Sequence, residues 1–115
     1  MNLNCIFCKI IAQKIPSKII QENDDIIVIA DIAPKAPVHY LIIPKKHVTD
    51  IRECDDVDQA LLGNILLMAK TLSQNSGNQE FKLIANNGAS VGQSVFHLHF
   101  HFLSGNSDFM QRSGL

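Results

Sequence analysis

The sequence predicts an α+β domain: about five short, mainly antiparallel strands, one long helix and one short helix. Two features carry this expectation. Short β-branched or alternating apolar stretches occur at residues 26–30 and 39–43, each bounded by turn residues or proline. Residues 56–73 instead repeat apolar side chains at helical spacing, through Val57, Leu61, Ile65, Met68 and Leu72. A length of 115 residues suits one domain over 1–115, with residues 108–115 as a tail.

In chain order, residues 5–12 read as the short helix, stopped ahead of Pro16 by the restriction proline places on its neighbour. Residues 18–22 alternate weakly, as an edge strand does. Asn23-Asp24-Asp25 is turn chemistry, so this strand and Ile26-Ile27-Val28-Ile29-Ala30 form a hairpin. Asp31 to Pro37 is a proline-punctuated loop, and Pro44 ends the strand over 39–43. Asp55 or Asp56 can cap the long helix, and Gly77 stands where its stop is expected. Residues 81–85 and 96–103 supply the last two strands.

Charge and composition narrow the function classes. Hydrophobic residues make up 46% and charged residues 18%, and the formal net charge is −1. Basic residues are scattered, with only Lys45-Lys46 adjacent, so direct nucleic-acid binding is not expected. A small anionic ligand held by a few placed groups fits better. No stretch approaches the roughly 18 apolar residues of a membrane span, and the first residues lack a secretory pattern. Three cysteines, Cys5, Cys8 and Cys54, point to a reducing, cytoplasmic setting. There, Cys5-x-x-Cys8 more often means metal or redox chemistry than a disulfide. Cys54 lies in a polar stretch that gives it no role.

Three of the five histidines fall in Phe96-His97-Leu98-His99-Phe100-His101-Phe102. On a strand this places the histidines on one face and Phe96, Leu98, Phe100 and Phe102 on the core face. One histidine on a half-buried strand is ordinarily structural; three in strict alternation are not. A single metal held by all three is disfavoured, because the outer two Cα atoms would lie about 13 Å apart. Neutral imidazole is nucleophilic near pH 7 and can attack phosphorus. Division of labour among the three is therefore the economical reading.

The run His97-Leu98-His99-Phe100-His101-Phe102-Leu103 resembles the His-φ-His-φ-His-φ-φ pattern (φ apolar) of the histidine-triad (HIT) superfamily. Further blocks resemble its nucleotide-binding Hint branch: Cys5-Ile6-Phe7-Cys8-Lys9-Ile10-Ile11, Asp31-Ile32-Ala33-Pro34, Leu41-Ile42-Ile43-Pro44-Lys45-Lys46-His47, Asn86-Asn87-Gly88 and Gly92-Gln93-Ser94. The resemblance implies a purine nucleotide-binding hydrolase or nucleotidyl transferase acting on nucleoside phosphoramidates through a covalent nucleotidyl-histidine. It makes His99 the nucleophile, places His101 on the phosphate and has His39 orient the pair. Gly92, Gln93 and Ser94 become phosphate-side donors, with Asn86 beside them, in a loop whose glycines permit close backbone approach. Asp31 would accept the ribose hydroxyls and Ile32 would lie against the base.

Relatives that keep both cysteines imply a structural zinc held by Cys5, Cys8, His47 and His97, freeing His99 for chemistry. The resemblance also implies a homodimer whose two sheets join edge to edge into about ten strands. The tail lacks the Trp-Pro-Pro-Gly-like ending that shapes the pocket in many Hint-branch proteins; it reads Asp108-Phe109-Met110-Gln111-Arg112-Ser113-Gly114-Leu115. Three rival functions are a dinucleoside polyphosphate hydrolase, a nucleotide-sensing adaptor and a catalytic metal enzyme.

Overall fold

A computed structural model describes residues 4–112. Its elements are α1 (Ile6–Ile11), β1 (Ile19–Glu22), β2 (Ile26–Ala30), β3 (Val38–Pro44), α2 (Gln59–Asn75), β4 (Phe81–Ile84), β5 (Phe100–Ser104) and α3 (Asp108–Arg112). The five strands form one sheet in the order β1-β2-β3-β5-β4, and every neighbouring pair is antiparallel. This is the α+β architecture expected. The β1–β2 turn is built as its composition predicts, with Asn23 Oδ1 accepting the N–H groups of Asp25 and Ile26 at 2.9 Å.

β2 lies inside the sheet and is covered on both faces, which is why Ile26 to Ile29 are all apolar rather than alternating. On one face Ile27, Ile29, Leu41 and Ile43 pack with Phe7, Cys8 and Ile10 of α1. On the other, Ile26, Val28, Ile42 and Phe102 pack with Ile65, Met68, Ala69 and Leu72 of α2. The long helix opens with a 3-10 turn at Asp56–Asp58, ahead of α2 proper. There the Asp58 carboxylate accepts the Asp55 N–H at 3.0 Å and the Lys46 ammonium at 2.6 Å. Gly77, at φ +81°, follows the helix end as anticipated.

Two expectations need correction. The strand expected over 96–103 begins only at Phe100, so residues 97–99 are irregular. Pairing of β3 with β5 stops at Ile42 opposite Phe100. Pro44 has no N–H to donate to the next rung, and its carbonyl accepts a hydrogen bond from the His97 ring at 2.7 Å. Leu98 N–H turns instead to the Val48 carbonyl, 2.8 Å away. Phe96 consequently sits outside the core at 51% exposure, while Leu98 and Phe102 are buried. The second correction concerns the tail, where residues 108–112 form the short helix α3; residues 113–115 lie outside the described residues.

These positions set a stability test. Phe102→Ala removes a buried ring stacked between Tyr40 and Phe81 and is expected to cost about 3–5 kcal/mol in denaturant unfolding. Phe96→Ala is expected to stay within about 0.5 kcal/mol of wild type.

Candidate functional site

The register of β3 on β5 sets Leu41 opposite His101 and His39 opposite Leu103, so His39 and His101 are diagonal neighbours on the α1 face. Their nitrogens form a directed chain. The Lys35 backbone N–H donates to His39 Nδ1 at 3.1 Å, which leaves the His39 proton on Nε2. That Nε2–H lies 2.9 Å from His101 Nδ1 and 3.4 Å from Asp31 Oδ2. His101 Nδ1 is thus the acceptor, and its own proton is on Nε2. The other Asp31 oxygen accepts the Ala33 N–H at 2.8 Å, an Asx turn that holds the 31–37 loop at the strand end.

His99 is arranged the opposite way. Its Nδ1 is 2.8 Å from the His97 carbonyl, which can only accept, so Nδ1 carries the proton and Nε2 a lone pair. The ring is buried, edge-on to Phe7 at 5.1 Å and 5.1 Å from the His101 ring. Burial pushes His39, His97 and His99 below the ordinary imidazole range. His101 falls to about 4, with burial as the main cause and the neighbouring His99 and His39 adding to it. At neutral pH the site therefore offers one imidazole lone pair beside one imidazole N–H.

Cys5, Cys8, His47 and His97 converge behind it, with one ligand atom each and all four atoms within 4.8 Å of one another. Cys5 Sγ is 3.3 Å and Cys8 Sγ 3.6 Å from His97 Nδ1; Cys8 Sγ is 3.3 Å and His97 Nδ1 3.0 Å from His47 Nδ1. A tetrahedral zinc ion with two sulfur and two nitrogen ligands needs separations of about 3.3–3.8 Å. The outer nitrogen decides the fit. His97 Nε2–H donates to the Pro44 carbonyl, which leaves Nδ1 as a lone pair facing the sulfurs. Asp31, His39 and His101 are a second group with metal-like spacing, but there the Lys35 N–H points at His39 Nδ1. A metal on Nε2 would force a proton onto Nδ1 against that donor, so the second group is built to share a proton.

The 86–94 loop is shaped by glycines at positive φ, Gly88 at +117° and Gly92 at +106°. Gln93, expected to meet substrate, is buried, and its carboxamide is committed within the fold. Its Oε1 accepts the Gly88 N–H at 2.8 Å, while Nε2 donates to the Thr49 and Val95 carbonyls at 2.7 and 3.1 Å. It clasps the loop. Asn86 packs near Gly92, and its carboxamide makes no hydrogen bond among the described residues. Ser94 is exposed and opens on a cleft of about 360 Å³ shared with Cys5, His47 and Phe96. Ile32 is 98% exposed at the other end of the site.

Sequence reasoning missed Lys35, whose contribution is a backbone N–H that no residue type encodes. It also missed Phe7, whose ring walls His99 and whose only signal was an apolar position between two cysteines.

The family model described as the scavenger mRNA decapping enzyme C-terminal binding domain matches residues 4–114. An uncharacterised HIT-like protein of Synechocystis sp. is 48% identical over 101 residues, 87% of this chain and 89% of that protein. A HIT family hydrolase from Clostridium thermocellum superposes with a TM-score of 0.89 at 40% identity, covering 94% of this chain and 96% of its own. One from Legionella pneumophila Philadelphia 1 gives 0.86 at 44% identity, covering 90% and 95%. With its three histidines set in this geometry, the chain belongs to the histidine-triad family.

Proposed function

We propose that this protein is a hydrolase of purine nucleoside phosphoramidates that works through a covalent nucleotidyl-His99 intermediate. The observation that carries the reading is the opposed protonation of the two adjacent imidazoles, a lone pair on His99 Nε2 beside an N–H on His101 Nε2. The solved HIT family hydrolases that it resembles support the reaction class.

In the first step His99 Nε2 donates its lone pair to phosphorus, and a P–N(His) bond forms. The P–N bond to the leaving amine breaks, and the amine departs with that electron pair and one proton from solvent. The His97 carbonyl holds the Nδ1–H and so supports the positive charge that develops on the ring. His101 Nε2–H donates to a phosphoryl oxygen. In the second step water attacks phosphorus, the P–N(His) bond breaks, and its electron pair returns to His99 while the water proton passes to solvent.

Asp31 accepts the ribose hydroxyls, exposed Ile32 covers the base, and Asn86, Gly92 and Ser94 supply donors on the phosphate side. Gln93 serves by holding their loop. Cys5, Cys8, His47 and His97 hold a structural zinc ion, which supplies a cross-link and no chemistry at phosphorus.

A homodimer is part of the same proposal. β4 is the outermost strand of the sheet among the described residues, and Leu66 and Leu67 of α2 stand 56% and 59% exposed. Three unpaired cysteines favour a cytoplasmic setting, and no helix among the described residues is long and apolar enough to cross a membrane.

Intact-protein mass spectrometry after brief mixing with an adenosine phosphoramidate is expected to find one acid-labile AMP on wild type. His99→Ala is expected to show none, and turnover should fall by at least about 10³-fold; wild-type turnover in that variant would sink the reading. Purified protein is expected to carry one zinc per chain by elemental analysis. Cys8→Ser should lose it, with a lowered thermal midpoint.

The pH dependence of stability follows from His101. Its folded pKa of about 4 lies below the ordinary value near 6.5, so the unfolded chain takes up the proton first. The contribution of His101 is fully present above about pH 6.5 and is lost as pH falls from there towards 4. Thermal midpoints measured across that window should fall less steeply in His101→Asn than in wild type.

A further inference from the structure

Beyond β5 the chain makes contacts that the proposed chemistry does not use. Gly105, at φ +92°, lies against the Pro37 ring, and a Cβ there would stand 2.8 Å from Pro37 Cγ. Ser107 Oγ–H donates to the Lys35 carbonyl at 3.0 Å. Ser107 also opens α3, its Oγ accepting the Met110 N–H at 3.3 Å and its carbonyl the Gln111 N–H at 3.0 Å. Lys35 is therefore gripped at both backbone groups. Its carbonyl is fixed by the start of α3, and its N–H donates to His39 Nδ1 at 3.1 Å.

We infer that the Lys35 backbone N–H, held in place by Ser107, is a positioning group that sets the protonation pattern of the His39–His101 pair. A neutral imidazole carries its proton on either nitrogen, and the choice passes along a hydrogen-bonded chain. With Nδ1 accepting from Lys35, His39 presents Nε2–H to His101 Nδ1, and His101 presents Nε2–H outward. Without that donor, His39 is free to move its proton to Nδ1. Its Nε2 then faces His101 as an acceptor, His101 reverses to Nδ1–H, and a lone pair meets the substrate's anionic oxygen.

Asp31, 3.4 Å from His39 Nε2, favours the same arrangement. The proposed function, on which this inference rests for its catalytic consequence, turns that carboxylate towards the ribose. Lys35 is then the group that holds the pattern during turnover. The segment carrying α3 thus acts on the His39–His101 pair through the Lys35 peptide.

The test compares four variants as metal-loaded protein. Lys35→Pro deletes the N–H; Lys35→Ala keeps it and removes only the side chain. Ser107→Ala removes the grip, and Ser107→Thr restores a hydroxyl. Long-range ¹H–¹⁵N spectra of histidine-labelled protein read the protonated nitrogen of His39 and His101 without substrate, and kinetics on an adenosine phosphoramidate follow.

Wild type, Lys35→Ala and Ser107→Thr are expected to show protonated Nε2 on both residues. Lys35→Pro should show mixed protonation on His39, with kcat lowered about tenfold and KM little changed; Ser107→Ala should move the same way to a smaller extent. Nitrogen shifts unchanged in Lys35→Pro overturn the inference; should that variant not fold, unchanged shifts in Ser107→Ala do so. A wild type that leaves the phosphoramidate intact overturns the proposed reaction alone, because the spectra are read without substrate.

Discussion

One hydrogen bond organises the centre of this molecule: the donation from His97 Nε2–H to the carbonyl of Pro44. Proline at that position removes the N–H that would have extended the β3–β5 ladder, and the imidazole takes up the carbonyl left over. The chain therefore leaves the sheet before Phe100. Leaving it there lets His97 turn its Nδ1 towards the two sulfurs and lets the His97 carbonyl meet the His99 ring. Had the strand continued, the three histidines would have lain in a row about 13 Å long, too spread to divide into two centres. A break of one rung separates His97, in the cysteine cluster, from His99, beside His101, only two residues away.

The two histidine groups illustrate how the same side chain acquires different chemistry. His39, His97 and His99 each have one nitrogen tied to the backbone, and the kind of backbone group decides what the other nitrogen can do. Carbonyls at His97 and His99 force the tied nitrogen to be the donor, so the free nitrogen carries a lone pair. A backbone N–H at His39 forces the reverse, and its proton points into the site. Burial alone cannot make this distinction, since it pushes all of these rings towards neutrality alike.

Much of this was legible in the residues. The hairpin followed from Asn23, the doubly covered strand from an unbroken β-branched run, and the long helix from its apolar spacing. The grouping of His39 with His101 and of Cys5 with His97 followed from recognising motifs rather than from periodicity, since these partners are 62 and 92 positions apart. What could not be read was set by the backbone. Alternation placed Phe96 in the core because the pattern carries no sign that Pro44 ends the pairing one rung early. Gln93 looked like a ligand contact because a carboxamide beside glycines serves equally well as a loop clasp, and only the position of Gly88 and Thr49 separates the two. The α3 helix was hidden in a short polar tail whose order comes from its contacts with Lys35 and Pro37.

The four converging side chains come from three stretches of the chain, Cys5 and Cys8 at α1, His47 just after β3 and His97 ahead of β5. An ion bound there would close a loop of roughly ninety residues, the kind of closure that restricts an unfolded chain most. It would also impose an order on assembly. His97 follows four of the five strands in the chain, and its Nδ1 is aimed only where β3 delivers the Pro44 carbonyl. The cysteine pair would therefore have to stay reduced until the first four strands had been made, and a metal could lock the domain only once every strand but the last was in reach.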